Sequence, residues 1–138
     1  MAKKVRLFLV SAIVGFGLIT VAQAKKPRTI ANGNWGGEHI RLSIVNGSAR
    51  IEYDCANGTI GGPLKIDSRG RFSLRGEHTA EHGGPVRSDE EQRGERASYT
   101  GWTDGKKMTL TVTLVNSKTE IGTFQLTRGG AGRIFKCR

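Results

Sequence analysis

The chain has 138 residues, of which 22 are Lys or Arg and 12 are Asp or Glu, so its formal net charge is +10. A chain of this length forms a single domain of ordinary size. The positive charge favours acidic partners such as anionic lipid headgroups or acidic polysaccharides. Nucleic-acid binding is not expected, because no motif combines basic residues with aromatic side chains that could stack on bases.

Residues 1–24 have the pattern of a secretory signal peptide. Basic residues at positions 3, 4 and 6 precede an apolar run from Leu7 to Val21, and Ala22-Gln23-Ala24 supplies the small residues of a cleavage site. The run is too short and too interrupted by glycine for a membrane-spanning helix. We expect cleavage near Ala24 and a secreted or periplasmic basic protein. The mature chain would keep 114 residues and a net charge of +7, because the leader holds three basic and no acidic residues.

The only two cysteines, Cys55 and Cys137, both follow the signal peptide. An oxidising compartment would pair them, closing a loop across 82 positions and holding the C-terminus to the domain. Two free thiols or a metal pair are the alternatives, but no neighbouring residue has the spacing of a metal site. The sequence therefore predicts a disulfide.

Beyond residue 35 the dominant hydrophobic period is two, as in half-buried strands. Turn residues separate the alternating runs at Asn46-Gly47, Asn57-Gly58, Asp67–Gly70 and Asp104-Gly105. We therefore predict an all-β fold of seven or eight short strands, either a small antiparallel up-and-down (meander) barrel or a closed sandwich. In this interpretation residues 25–35 form an N-terminal tail and residues 36–138 form one barrel domain.

The apolar members of the alternation are mostly large, which predicts a barrel interior filled by side chains. The outward positions carry Arg, Glu, Lys and Thr, so the barrel is not expected to span a membrane. The expected inward residues are Ile40, Leu42, Ile44, Ile51, Tyr53, Leu64, Ile66, Phe72, Leu74, Tyr99, Met108, Leu110, Val112, Leu114, Phe124 and Leu126.

Residues 80–96 interrupt the pattern with a polar, densely charged segment. At 17 residues it is longer than an ordinary hairpin loop. It is interpreted either as a solvated excursion or as a loop that binds a partner.

His78 and His82 lie four positions apart, beside Glu77 and Glu81. On a helical turn the two imidazoles would share a face and could hold Zn²⁺ or Cu²⁺, with a glutamate or His39 as a third ligand. In an extended strand they would lie about 13 Å apart, too far to share a metal. The alternative is an ordinary charged segment with no cofactor.

A catalytic constellation is not evident in the sequence. No nucleophile-elbow motif occurs, and His78 does not begin an HExxH zinc motif because Thr79 follows it. We therefore name no catalytic residues and expect the protein not to be an enzyme.

Gly33-Asn34-Trp35, just before the first predicted strand, resembles the Gly-x-Trp start of calycin barrels such as lipocalins and avidins. The resemblance implies that Trp35 plugs one barrel end and that Arg128 packs over it. The Cys55–Cys137 pairing is similar to a strand-to-C-terminus disulfide of lipocalins. Two further segments, at 53–60 and 81–86, resemble parts of uncharacterised small secreted bacterial proteins.

Three functions follow as expectations. The leading one is an exported, non-catalytic β-barrel that binds a protein or an anionic surface through its loops or rim. The second is a carrier of a small apolar ligand in a pocket beside Trp35. The third is a metal-dependent or hydrolytic site around His78 and His82.

Overall fold

A computed structural model describes residues 28–85, 87–89 and 93–137. The predicted signal peptide at 1–24 lies outside the described residues. No helix forms in the part of the chain that the structure describes, and the fold is all-β.

The described residues form ten strands, eight of which close into an antiparallel barrel in the order β10-β2-β3-β4-β5-β7-β8-β9. This confirms the predicted up-and-down barrel. The strands β1 and β6 form a separate two-stranded sheet. The bounds are β1 Arg28–Thr29, β2 Gly33–Gly37, β3 Ile40–Val45, β4 Ser48–Tyr53, β5 Ala56–Ile60, β6 Lys65–Ile66, β7 Arg71–Ala80, β8 Glu95–Thr103, β9 Lys107–Leu114 and β10 Glu120–Arg128.

The predicted turn at Asn46-Gly47 is confirmed, because both residues have positive φ between β3 and β4. The predicted turn at Asn57-Gly58 is wrong, because both residues lie inside β5. Gly58 faces the barrel interior, where a Cβ would collide with the Tyr99 hydroxyl. The glycine therefore makes room for an aromatic ring and does not turn the chain.

The core fills the barrel. All sixteen residues expected to point inward are buried or packed against the buried cluster. Trp35, Tyr99 and Leu110 are among the largest fully buried side chains. Side chains therefore fill the interior of the barrel, the space in which a carrier protein binds its ligand.

We name the two barrel ends after Trp35 and His78. The Trp35 end is covered by the β1–β6 sheet, where the Ile30 amide donates to the Leu64 carbonyl at 2.9 Å and both side chains are buried. Residues 28–35, which the sequence predicts as a tail, thus supply β1, the two core residues Ile30 and Trp35, and the start of the first barrel strand.

Residues 129–137, which we call the C-terminal tail, run back along the outside of β2 from the Trp35 end to the His78 end. The Arg133 amide donates to the Gly37 carbonyl at 2.9 Å, and the His39 amide donates to the Arg133 carbonyl at 2.7 Å. Gly36 permits this approach, because a Cβ there would overlap the backbone of Gly132.

Candidate functional site

The His78 end of the barrel carries an open depression of about 300 Å³. Strands β4, β5, β7 and β10 bring its walls together. We call this depression the mouth, and its lining is His39, Tyr53, Asp54, Cys55, Ala56, His78, Ile121 and Phe124.

His78 forms a polar part of the mouth wall. Alternation along β7 turns its side chain inward, and the residue is only 7% exposed. Its Nδ1 atom is buried with no hydrogen-bond partner among the described residues. Burial lowers the pKa of His78, although the Glu95 carboxylate on the neighbouring strand acts in the opposite direction. His78 is therefore held as a neutral imidazole at neutral pH.

Two tyrosines lie beside His78. The Tyr53 ring centroid is 5.2 Å from that of His78 and 5.5 Å from that of Phe124. The Tyr99 hydroxyl donates to the Glu77 carbonyl at 2.6 Å. Burial raises the pKa of Tyr99 to about 12 and raises the pKa of Tyr53 further. Both phenols are therefore uncharged, and Tyr53, which lines the mouth, adds a polar group without charge to its wall.

Asp54 connects the mouth to the C-terminal tail. Its carboxylate accepts a hydrogen bond from the Phe135 amide at 2.8 Å and lies 2.6 Å from the His39 Nδ1 atom. These contacts, the amide bond first, hold the pKa of Asp54 below its usual value. The adjacent Cys55 forms the predicted disulfide with Cys137, with Cα atoms 5.2 Å apart. The pairing is confirmed and is consistent with an oxidising, exported location.

Two exposed apolar side chains lie at the mouth. Ile121, which lines it, is 37% exposed, and Phe135, whose ring centroid is 5.8 Å from that of His39, is 56% exposed. A contiguous exposed apolar patch on a soluble domain marks a surface that meets a partner, whereas single exposed apolar residues are ordinary. An apolar border around a few buried polar atoms is typical of ligand and partner sites.

The structure does not bring the four candidate metal ligands together. His78 points into the barrel, whereas Glu77 belongs to the outward-facing set of β7. Glu81 accepts a hydrogen bond from Asn57 at 2.9 Å and lies 3.4 Å from the Lys136 ammonium. The described residues contain no group of three or more His, Cys, Asp or Glu side chains arranged to hold a metal ion.

Trp35 and Arg128 occupy the opposite end of the barrel. They are register partners on β2 and β10, and Trp35 is 1% exposed. Arg128 donates to the Asn32 carbonyl at 3.2 Å. Both residues line a cavity of about 130 Å³, which also contains Arg28 and Asp104. This space is small, and its lining combines the charged Arg28, Asp104 and Arg128 with the apolar Ile30 and Ile66.

Sequence reasoning missed the pairing of His78 with Tyr53. The alternation that turns Phe72 and Leu74 inward continues through position 76 to His78, and this signal was available. The apolar residues Ile121 and Phe135 could not be placed beside them, because only the path of the tail brings Phe135 to the mouth.

Comparison with protein-family models, curated proteins and solved structures gave no match for this chain. A search of the described residues for helices of membrane-spanning length and hydropathy found none.

Proposed function

We propose that this protein is an exported, non-catalytic β-barrel that acts by binding a partner at its mouth. One observation carries the proposal: the exposed apolar side chains of Ile121 and Phe135 lie at a depression whose wall contains His78, and the Nδ1 atom of His78 is buried with no partner among the described residues. A partner that covers the border would remove apolar surface from water. The inner polar atoms would select a group that can hydrogen-bond to them.

The filled interior supports a binding protein over a carrier. A calycin-type carrier needs an internal cavity, whereas the axis of this barrel is occupied by Tyr99, Leu110 and Leu126. A small ligand remains a second candidate only at the mouth, whose volume of about 300 Å³ and aromatic walls would fit a compact ring.

The chemistry of the mouth favours binding over catalysis. Asp54 is engaged by His39 and the Phe135 amide, and His78 has no carboxylate or hydroxyl nucleophile hydrogen-bonded to it within the described residues. General acid–base work requires such a pair in reach of one substrate atom. No catalytic residues are proposed.

The test compares partner capture by wild-type protein, a mouth variant and a matched control. The mouth variant combines Ile121→Ser with Phe135→Ser, and the control is Trp102→Ala, which removes a side chain that is 42% exposed near the opposite end. Each protein is immobilised and exposed to the native envelope fraction. We expect the wild type and the control to retain the same partner and the mouth variant to lose it.

The retained partner is then purified and its affinity for the three proteins is measured by titration calorimetry. Loss of about 2 kcal/mol or more of binding free energy in the mouth variant alone is the expected result. Equal affinity for wild type and mouth variant would contradict the proposal. Native mass spectrometry of the purified protein identifies a retained small molecule if the second candidate is correct.

A further inference from the structure

Three arginines on the outside of the barrel lie around two neighbouring depressions of about 610 and 500 Å³. Arg75 and Arg96 line the first depression and Arg50 lines the second. The two depressions share Thr59 and Gly61, and we call them together the arginine groove. The arginine groove is separate from the mouth and involves β4, β5, β7 and β8.

The register of the sheet fixes how these arginines are arranged. Arg50 pairs with Thr59, Thr59 with Glu77, and Glu77 with Arg96, so one row crosses four strands. With a strand spacing of about 4.8 Å, the row spans about 14 Å between its two arginine Cα atoms. Arg75 lies two residues before Glu77, about 7 Å along the same strand.

None of these three guanidinium groups has a hydrogen bond or an ion pair within the described residues, and all three residues are exposed. Other arginines of the barrel do have partners: Arg41 pairs with Glu52 at 3.5 Å and Arg71 with Asp67 at 3.6 Å. The N–H donors of these planar guanidinium groups are therefore available in the arginine groove. Such donors bind carboxylate or sulfate groups well.

We propose that the arginine groove binds an acidic polysaccharide. The serine and threonine hydroxyls of its lining, from Ser43, Ser48 and Thr59, can hydrogen-bond to sugar hydroxyls. The lining contains no aromatic side chain, so it offers no platform for stacking the bases of a single-stranded nucleic acid. A concave row also fits a linear chain better than it fits the flat surface of a bilayer.

Glu77 is the one carboxylate in the lining of the arginine groove. It stands between Thr59 and Arg96 in the row and opposes the binding of anions. Glu77→Gln should therefore increase the affinity for an anionic ligand, and loss of folding could not produce such an increase.

The experiment measures the affinity of heparin and polygalacturonate oligosaccharides across a salt series. The groove variant combines Arg50→Gln, Arg75→Gln and Arg96→Gln. The charge-matched control combines Lys106→Gln, Lys107→Gln and Arg133→Gln, three exposed cations outside the arginine groove. Melting temperatures verify that both variants are folded.

We expect the groove variant to lose affinity at least about tenfold and to show a weaker salt dependence, whereas the control changes by less than about threefold. Glu77→Gln should bind more tightly than wild type. Equal losses in the two triple variants would overturn the proposal, because net charge alone would then explain binding. It would also be overturned if wild type did not bind either oligosaccharide, or if single-stranded DNA or anionic vesicles bound more tightly with the same arginine dependence.

Discussion

Single side chains give the two barrel ends different properties. At one end Trp35 is a plug beneath the β1–β6 sheet, with its Nε1 atom buried and unpartnered within the described residues, and at the other His78 and Tyr53 line an open depression. A buried polar atom without a partner destabilises the folded state. Trp35 Nε1 is such an atom at the covered end, and His78 Nδ1 is one at the open end, where a bound partner could supply the missing hydrogen bond.

The first prediction concerns Trp35, which is 1% exposed. Trp35→Ala should lower the free energy of unfolding by about 3–5 kcal/mol, since it removes a large buried aromatic ring and leaves a cavity. Trp102→Ala is the matched control, because Trp102 is 42% exposed. Denaturant titration measures both. A Trp35 variant as stable as the Trp102 variant would show that the plug does not contribute to the core.

The second prediction concerns the pH dependence of stability. Burial lowers the pKa of His78 in the folded state, so below the ordinary value of 6.5 the unfolded chain binds more protons at this residue. The His78 contribution therefore destabilises the fold as the pH falls from neutral through 6.5 toward the folded-state pKa. His78→Gln should reduce the drop in melting temperature between about pH 7.5 and 5.5.

Thr79→Ala serves as the control for this experiment, because Thr79 follows His78 on β7 and does not titrate. It should retain the pH dependence of the wild type. An unchanged pH dependence in the His78 variant would mean that the imidazole is solvated in the folded protein.

Close backbone contacts pack the C-terminal tail against the outside of β2. The tail and β2 approach each other through glycines, and the Arg41 side chain donates to the Ala131 carbonyl at 2.8 Å. This contact carries the chain from the Trp35 end to the mouth, where Phe135 joins the apolar border.

The third prediction tests this contact. A Cβ at Gly36 would overlap the backbone of Gly130 and Gly132, and backbone atoms cannot move aside cheaply. Gly36→Ala should therefore destabilise the protein by about 1–3 kcal/mol and increase hydrogen exchange in residues 131–137. Gly61→Ala is the control, since nothing lies within 4 Å of its added methyl. Equal stability of the two variants would show that the tail does not pack as described.

Strand alternation made most of the fold predictable, because burying one face of each strand requires a period of two. The pattern in Met108, Leu110, Val112 and Leu114 translates directly into β9. Asn57-Gly58 misled the prediction because the glycine serves a packing contact with Tyr99, which is distant in sequence. The site was less predictable for the same reason: its members come from β4, β7, β10 and the tail, and no local pattern encodes their meeting.

At the scale of the whole molecule, the Cys55–Cys137 disulfide links the C-terminal tail to the barrel at the mouth. The bridge spans 82 residues, which the chain-entropy account translates into a stabilisation of up to about 4–5 kcal/mol. In the double variant Cys55→Ser/Cys137→Ser, the free energy of unfolding should fall by up to about 4–5 kcal/mol, as measured by denaturant titration. Reduction of the wild type should have the same effect. A loss below about 1 kcal/mol would mean that the noncovalent contacts of the tail suffice.

Amide chemical shifts measure directly whether a partner binds at the mouth. Labelled protein is titrated with the partner retained from the envelope fraction, and the perturbed amides are mapped onto the barrel. We expect the largest changes at His39, Tyr53, Ile121 and Phe135. Changes centred on the Trp35 end, with the mouth unaffected, would contradict it.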